Sequence, residues 1–240
     1  MKAILFFLFA MASAALAQAP STEGAATAKT KVLIVGGGSS HDFEKWFHQA
    51  DQRTLEKGAA TVKYTEESSQ AVVLLPWADV LMMSTNKPGF DTPEFREALK
   101  KFADDGHGIV LLHPAVWYNW LWLEYNRDFV GGGARGHDPL GKFAVKVLIE
   151  HPVTKSLPKK FSVKDELYHI VLAPNGAAIE VLAETSNSIM HGNRYPCVWL
   201  VKHPKARIVC IALGHDGNVH ELAEFQTLLQ NAVTWAAGKQ

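Results

Sequence analysis

The chain has 240 residues, 48% of them hydrophobic, with 24 basic and 24 acidic side chains. That length carries one α/β domain with a full core. Zero formal net charge gives no electrostatic case for nucleic acid or an anionic membrane surface as a partner. Residues 1–17 read as a secretory signal, with Lys2 at the positive start, an apolar run from Ala3 to Met11 and Ala15-Leu16-Ala17 as the cleavage site. The run falls short of the ~20 residues of a spanning helix, and no cysteine follows the site to carry a lipid. The expectation is a periplasmic or secreted protein with no membrane contact after cleavage. Residues 18–30, rich in Ala, Ser and Thr, read as a disordered linker, and residues 31–238 as one domain.

Val32-Leu33-Ile34-Val35 reads as a buried strand that runs into Gly36-Gly37-Gly38-Ser39-Ser40-His41. Asp42 to Lys57 reads as a helix with Phe43, Trp46, Phe47, Ala50 and Leu55 on one face and Gly58 as its stop. Val62 to Thr65 and Ala78 to Ser84 are the next strands. Thr92 to Asp104 is a helix with Thr92 as N-cap and Pro93 in the first turn. Gly108-Ile109-Val110-Leu111-Leu112 is a buried strand that stops at His113-Pro114. Strand and helix alternate from 31 to 113, which predicts a doubly wound, mostly parallel sheet with helices on both faces.

Val116 to Phe129 packs Trp117, Tyr118, Trp120, Trp122 and Tyr125 into a short stretch. The favoured reading is a helix buried on most sides; the other is a platform for the apolar face of a sugar, led by Trp117. Gly131 to His137 reads as a glycine loop that lets backbone approach a ligand closely. It is no phosphate loop, since no Gly-Lys-Ser/Thr follows. The Gly36–Gly38 turn has His41 where a dinucleotide fingerprint needs its third glycine, so NAD is not expected. From Lys142 onward the chain is strand-like, at 142–149, 161–163, 179–183, 197–202 and 207–213. This predicts an antiparallel or mixed extension, closed by a helix from Glu221 to Ala237. Cys197 and Cys210 flank a hairpin whose register the sequence does not fix, so a disulfide between them stays open.

Three strands end in histidine, at His41, His113 and His215. In open α/β sheets, ligands bind beyond the carboxyl ends of the strands, so the three should converge on one pocket. His137 and the Asp165-Glu166 segment, the start of Asp165-Glu166-Leu167-Tyr168-His169, are expected near its rim. In an extended stretch Asp165 and His169 share one face, and Glu166 and Tyr168 the other. Neutral imidazoles can ligate zinc or a similar divalent ion, or act as bases near neutral pH. The candidate catalytic residues are His113, His215 and Glu166. His41, His137, Asp165, Tyr168 and Trp117 are candidates for binding substrate, and His41, His113 and His215 for a metal. His48 and His220 read as ordinary surface or boundary residues.

The ordered set Gly-Gly-Gly-Ser-Ser-His-Asp-Phe at 36–43, Gly-Ile-Val-Leu-Leu-His at 108–113, Gly-Gly-Gly-Ala-Arg-Gly-His at 131–137, His-Pro-Val-Thr at 151–154, Asp-Glu-Leu-Tyr at 165–168, Leu-Gly-His-Asp at 213–216 and Thr-Trp-Ala-Ala-Gly at 234–238 resembles the trehalose-utilization (ThuA-like) family. The resemblance implies a flavodoxin-like, class I glutamine-amidotransferase-like α/β fold. It also implies a role in bacterial carbohydrate metabolism, in which related proteins are associated with breakdown of 3-keto-glycosides. True amidotransferases of this fold carry a nucleophilic cysteine at a strand-to-helix elbow. His113 stands at that point here, which sets Cys-dependent acyl transfer aside. Members commonly have a glycine-rich last hairpin turn, where this chain has His203-Pro204-Lys205-Ala206.

Three functions compete. The first is an exported enzyme that removes the C2 proton of a keto-glycoside by histidine-based acid–base chemistry, with or without a metal. The second is a non-catalytic sugar-binding protein of the same fold. The third, a two-carboxylate glycosidase, is weaker because no convincing carboxylate pair is visible. Each has a small-molecule sugar as its partner.

Overall fold

The computed structural model describes residues 28–239. The expected signal and most of the linker lie outside the described residues. Chain order is β1 (Thr30–Val35), a π-wound turn (Phe43–Ala50) continuing as α1 (Asp51–Lys57), β2 (Ala60–Thr65), α2 (Ser68–Leu74), β3 (Val80–Met83), α3 (Pro93–Asp104) and β4 (Gly108–Leu112). Then come α4 (Leu123–Tyr125), β5 (Gly132–His137), β6 (Gly141–Val147), β7 (Lys160–Asp165), β8 (Tyr168–Leu172), β9 (Ile179–Thr185), β10 (Pro196–Lys202), β11 (Arg207–Ile211), α5 (Gly217–His220) and α6 (Ala223–Ala236).

The nine-stranded sheet has the order β2-β1-β3-β4-β11-β10-β9-β6-β7. From β2 to β11 every pairing is parallel. From β11 through β10, β9 and β6 to β7 every pairing is antiparallel. This is the expected parallel sheet with an antiparallel extension. The apolar runs of β1, β3, β4 and β11 are buried because both faces are covered. On one face Val32, Ile34, Val110 and Ile211 pack against Phe43, Phe47 and Leu55 and against Phe225, Leu228 and Leu229 of α6. On the other, Leu33, Leu81, Ile109 and Cys210 pack against Ala71 of α2 and Phe95, Leu99 and Phe102 of α3.

Local signals hold where they were strongest. Thr92 caps α3 by accepting from the Phe95 amide at 3.3 Å, and Pro93 opens the first turn. Asp42 caps the π-wound turn by accepting from the Lys45 amide at 3.1 Å. β1 begins at Thr30, one residue inside the expected linker. The structure adds α2, for which the sequence carried no clear cap or period.

Two expectations are corrected and one open question is settled. Residues 116–129 are not one buried helix. The chain is irregular between a turn at His113–Val116 and α4, so Trp122, Tyr125 and Phe129 are buried, while Trp120 is 66% and Leu121 79% exposed. The glycine stretch 131–137 is not a loop. Gly132 to His137 form β5, antiparallel to β8, and a Cβ on Gly133 would stand 3.0 Å from the Tyr118 Cα. Those glycines admit neighbouring backbone rather than a ligand. Cys197 and Cys210 are both free. Cys210 lies opposite Trp199 in the hairpin register, and the two thiols pack into cores on opposite faces of the sheet, so no bridge between them is possible.

Candidate functional site

The parallel strands β1, β4 and β11 deliver His41, His113 and His215 to one edge of the sheet. β11 pairs with β4 in register Ile211 to Leu112, so the residues following both strands emerge side by side. His113 turns the chain with a left-handed backbone, φ +32°, a conformation costly for a residue with a side chain. The turn drives its ring into the interior, where it is fully buried. The His41 ring lies 5.1 Å from the His113 ring and 4.8 Å from the His215 ring, centroid to centroid.

Glu166 joins them from the turn between β7 and β8. Its Oε2 stands 3.2 Å from His215 Nδ1 and 3.7 Å from His113 Nε2. One donor atom from each of His41, His113, Glu166 and His215 lies within 4.8 Å of all the others. His113 Nδ1 lies 2.8 Å from the Ala212 carbonyl. A carbonyl can only accept, so Nδ1 carries a proton, and in the neutral ring Nε2 holds the lone pair. Among the described residues, four buried side-chain polar atoms have no hydrogen-bond partner, and three of them are His41 Nε2, His113 Nε2 and His215 Nδ1. Buried polar atoms are normally satisfied. Three orphaned imidazole nitrogens facing one carboxylate match the donor set of a divalent metal centre.

Electrostatics differ from ring to ring around the carboxylate. Burial, then the neighbouring His113 and His215, lowers the His41 pKa to about 3, so this ring is neutral. Burial works to raise the Glu166 carboxyl, but the adjacent His113, His215 and His137 outweigh it and hold it well below the usual range. For His215, proximity to Glu166 outweighs burial and raises the imidazole.

Asp165 does not face the cavity, which corrects its expected place on the rim. It is fully buried. Its oxygens accept from the amides of Gly214 at 2.9 Å and His215 at 3.0 Å, and from the Glu166 amide at 2.9 Å. Gly214 takes φ +128°, a region open to glycine, and this turns both amides toward one carboxylate. Asp165 is a positioning residue for His215. The expected alternation holds: Glu166 and Tyr168 line the cavity while Asp165 does not. His169 is bound instead to Asp138 at 2.9 Å, beside Ser188.

The cavity measures about 230 Å³, and its wall also includes Ser40, Asn86, Trp117 and His137. Tyr168 stacks on His113 at 4.2 Å. Burial and then the charges of Glu166 and Asp165 keep its hydroxyl protonated. His137 reaches 3.6 Å from Glu166 Oε1, and its Nδ1 lies 2.8 Å from the Asp138 carbonyl. By the same reasoning its Nε2 carries the lone pair. The structure thus brings His41, His113, His137, Glu166, Tyr168, His215 and Trp117 together.

Two contributors escaped the sequence reading. His220 is not a boundary residue. It is buried, 2.7 Å from Asp51 and 3.0 Å from the Gly214 carbonyl, so it braces the residue before His215. No local signal marks that pair, whose members lie far apart in the chain. Asn86 follows the end of β3, and the strand-end rule extended to that strand points to it.

The family model described as ThuA, trehalose utilisation, matches residues 31–236. The chain belongs to this family. Two solved ThuA-like proteins share the fold of this ThuA protein. One, from Parabacteroides merdae, is 23% identical over 88% of this chain and 91% of its own, with a TM-score of 0.77. The other, from Bacteroides uniformis, is 24% identical over 90% and 94%, with a TM-score of 0.73. A solved GMP synthase protein from Thermoplasma acidophilum is similar at 16% identity over 88% and 95%, with a TM-score of 0.56. The fold is therefore of the class I glutamine-amidotransferase type. No curated protein matches the chain. Family membership supports a carbohydrate-related role.

Proposed function

We propose that this ThuA protein acts on 3-keto-glycosides by acid–base chemistry at C2, with a divalent ion held by His41, His113 and His215 beside Glu166. The observation that carries the reading is the convergence of three buried, unpartnered imidazole nitrogens on one carboxylate. Zinc suits such a donor set, and a bound ion supplies a Lewis acid for the keto oxygen.

A 3-keto group acidifies the proton at C2. Removing it leaves an electron pair that forms the C1–C2 double bond as the bond from C1 to the glycosidic oxygen breaks. His137 takes the C2 proton on Nε2, because its Nδ1–H is committed to the Asp138 carbonyl. Glu166, 3.6 Å from His137, stabilises the imidazolium that results. Tyr168, held protonated, donates a hydrogen bond to the departing oxygen, which takes its proton from solvent. Trp117 offers its face to the sugar ring. On this reading His113 and His215 hold the ion, and His137 moves from binding to proton transfer.

The Lys2-to-Ala17 pattern supports action outside the cytoplasm. The direct test is solvent-deuterium exchange at C2 of a 3-keto-glucoside, with metal analysis of the same preparation. Exchange or cleavage lost in His137→Ala is the expected result. If wild-type protein loaded with zinc, manganese or magnesium neither exchanges that proton nor cleaves the glycoside, yet binds it, the sugar-binding reading takes its place.

A further inference from the structure

A second cavity, about 340 Å³, adjoins the histidine cavity, and the two share Asn86, Pro114 and Trp117. Its wall is aromatic, with Phe90, Tyr118, Trp120, Trp122 and Tyr125. Trp120 and Leu121 project from it with 66% and 79% exposure. That exposure is unusual for large apolar side chains, whose burial favours the fold. The Arg135 guanidinium lies over Tyr118 at 4.3 Å and Trp120 at 5.3 Å, which holds these rings upright.

Several polar side chains in this wall are already engaged within the protein. Asn119 Oδ1 accepts from the Leu121 and Trp122 amides, and its Nδ2 donates to Asp91. Lys87 Nζ donates to the Glu66 carbonyl and to Glu67. Thr85 donates to the Gly37 carbonyl and accepts from the Lys87 amide. Asn86 Nδ2 donates to Ser40. A second sugar ring would bring several hydroxyls into a space walled mainly by aromatic faces, and each hydroxyl left unpaired there is costly. A flat apolar ring asks only for aromatic faces.

We infer that this cavity is the subsite for the group on the far side of the scissile bond, and that its occupant is an aryl aglycone rather than a second sugar. That a bond is cut beside it rests on the proposed function; the aryl occupant rests on the cavity wall. Two measurements separate them. The first is calorimetric titration of the metal-loaded protein with 2-naphthol, a free aryl probe that needs no catalysis. Naphthol should bind, and Trp120→Ala and Leu121→Asp, both at exposed positions, should each weaken it about tenfold. The second is turnover of phenyl, methyl and glucosyl 3-keto-glucosides, where the phenyl compound should have the lowest KM. The ratio of kcat/KM for phenyl over methyl should fall about tenfold in Trp120→Ala. No naphthol binding, binding indifferent to both substitutions, or a preference for the glucosyl compound each overturns the inference. Naphthol binding that depends on Trp120, without turnover of any glycoside, would leave the aryl site standing and remove the catalytic reading instead.

Discussion

Asp51 and His220 meet at 2.7 Å, Oδ1 to Nδ1, with side chains no more than 1% exposed. Burial pulls the His220 imidazole down, but the Asp51 charge, its hydrogen bond and the Gly214 carbonyl push it above its ordinary value. Burial likewise raises the Asp51 carboxyl against the attraction of His220. The pair therefore holds its proton more firmly than the unfolded chain does. Its contribution to stability is complete below the unfolded histidine value of about 6.5 and is lost as pH rises through the folded value, at up to about 1.4 kcal/mol per pH unit. The gap in thermal midpoint between wild type and His220→Gln should be widest at pH 6 and narrow toward pH 9. A gap that stays constant over that range would show that the pair does not titrate as described.

Asp165→Asn leaves one acceptor oxygen where two serve the amides of Gly214 and His215. The cost should be about 1–3 kcal/mol in stability, for a buried donor left unpaired. Zinc affinity should fall about 10–100-fold, since outer partners orient metal ligands. Denaturant melts and competition with a chromogenic chelator measure the two effects. Unchanged zinc affinity would argue against positioning.

The donor set itself makes a direct prediction. Saturation with a divalent ion at about a hundred times its dissociation constant should add roughly 2.7 kcal/mol, a rise of about 5–10 °C in midpoint for a domain of this size. The rise should vanish in His113→Ala and weaken at acid pH, where imidazoles protonate. Calorimetric melts of stripped and reloaded protein decide it; equal midpoints would remove the metal centre.

Both cysteines should be recovered as thiols, and reductant should leave the midpoint where it is. Burial pushes both thiols up, so alkylation should require unfolding. Mass analysis of non-reduced, denatured, alkylated protein checks this, and a mass two hydrogens short would contradict the placement of the two residues on opposite faces.

Export should leave a mature chain that begins at Gln18. Intact mass of secreted or periplasmic material is the measurement, and retention of Met1 there would rule the cleavage out.

The apolar strands were legible because each is covered on both faces, so hydrophobic runs stood out against polar helix ends. The histidines at their ends were legible because the strand-end rule needs only the strand. Glu166 was separable from Asp165 by alternation, since the turn leaves the two on opposite sides. What Asp165 binds was not legible, because its partner amides come from Gly214 and His215, in the turn after β11 and distant in sequence. The Asp51–His220 pair was hidden for the same reason. The aromatic segment misled because Trp120 and Trp122 look alike in sequence. One is exposed beside a cavity and the other buried beneath Arg96, whose guanidinium lies 5.0 Å from its ring.

The left-handed turn at His113 separates what the fold needs from what the site needs. A backbone at φ +32° would be more comfortable with glycine, by about 1–2 kcal/mol. Between His113→Ala and His113→Gly, which both delete the ring, glycine should give the more stable protein, the reverse of their order in a helix or strand. Folding alone would leave that corner to glycine, and the imidazole that occupies it is maintained against the preference of its own main chain.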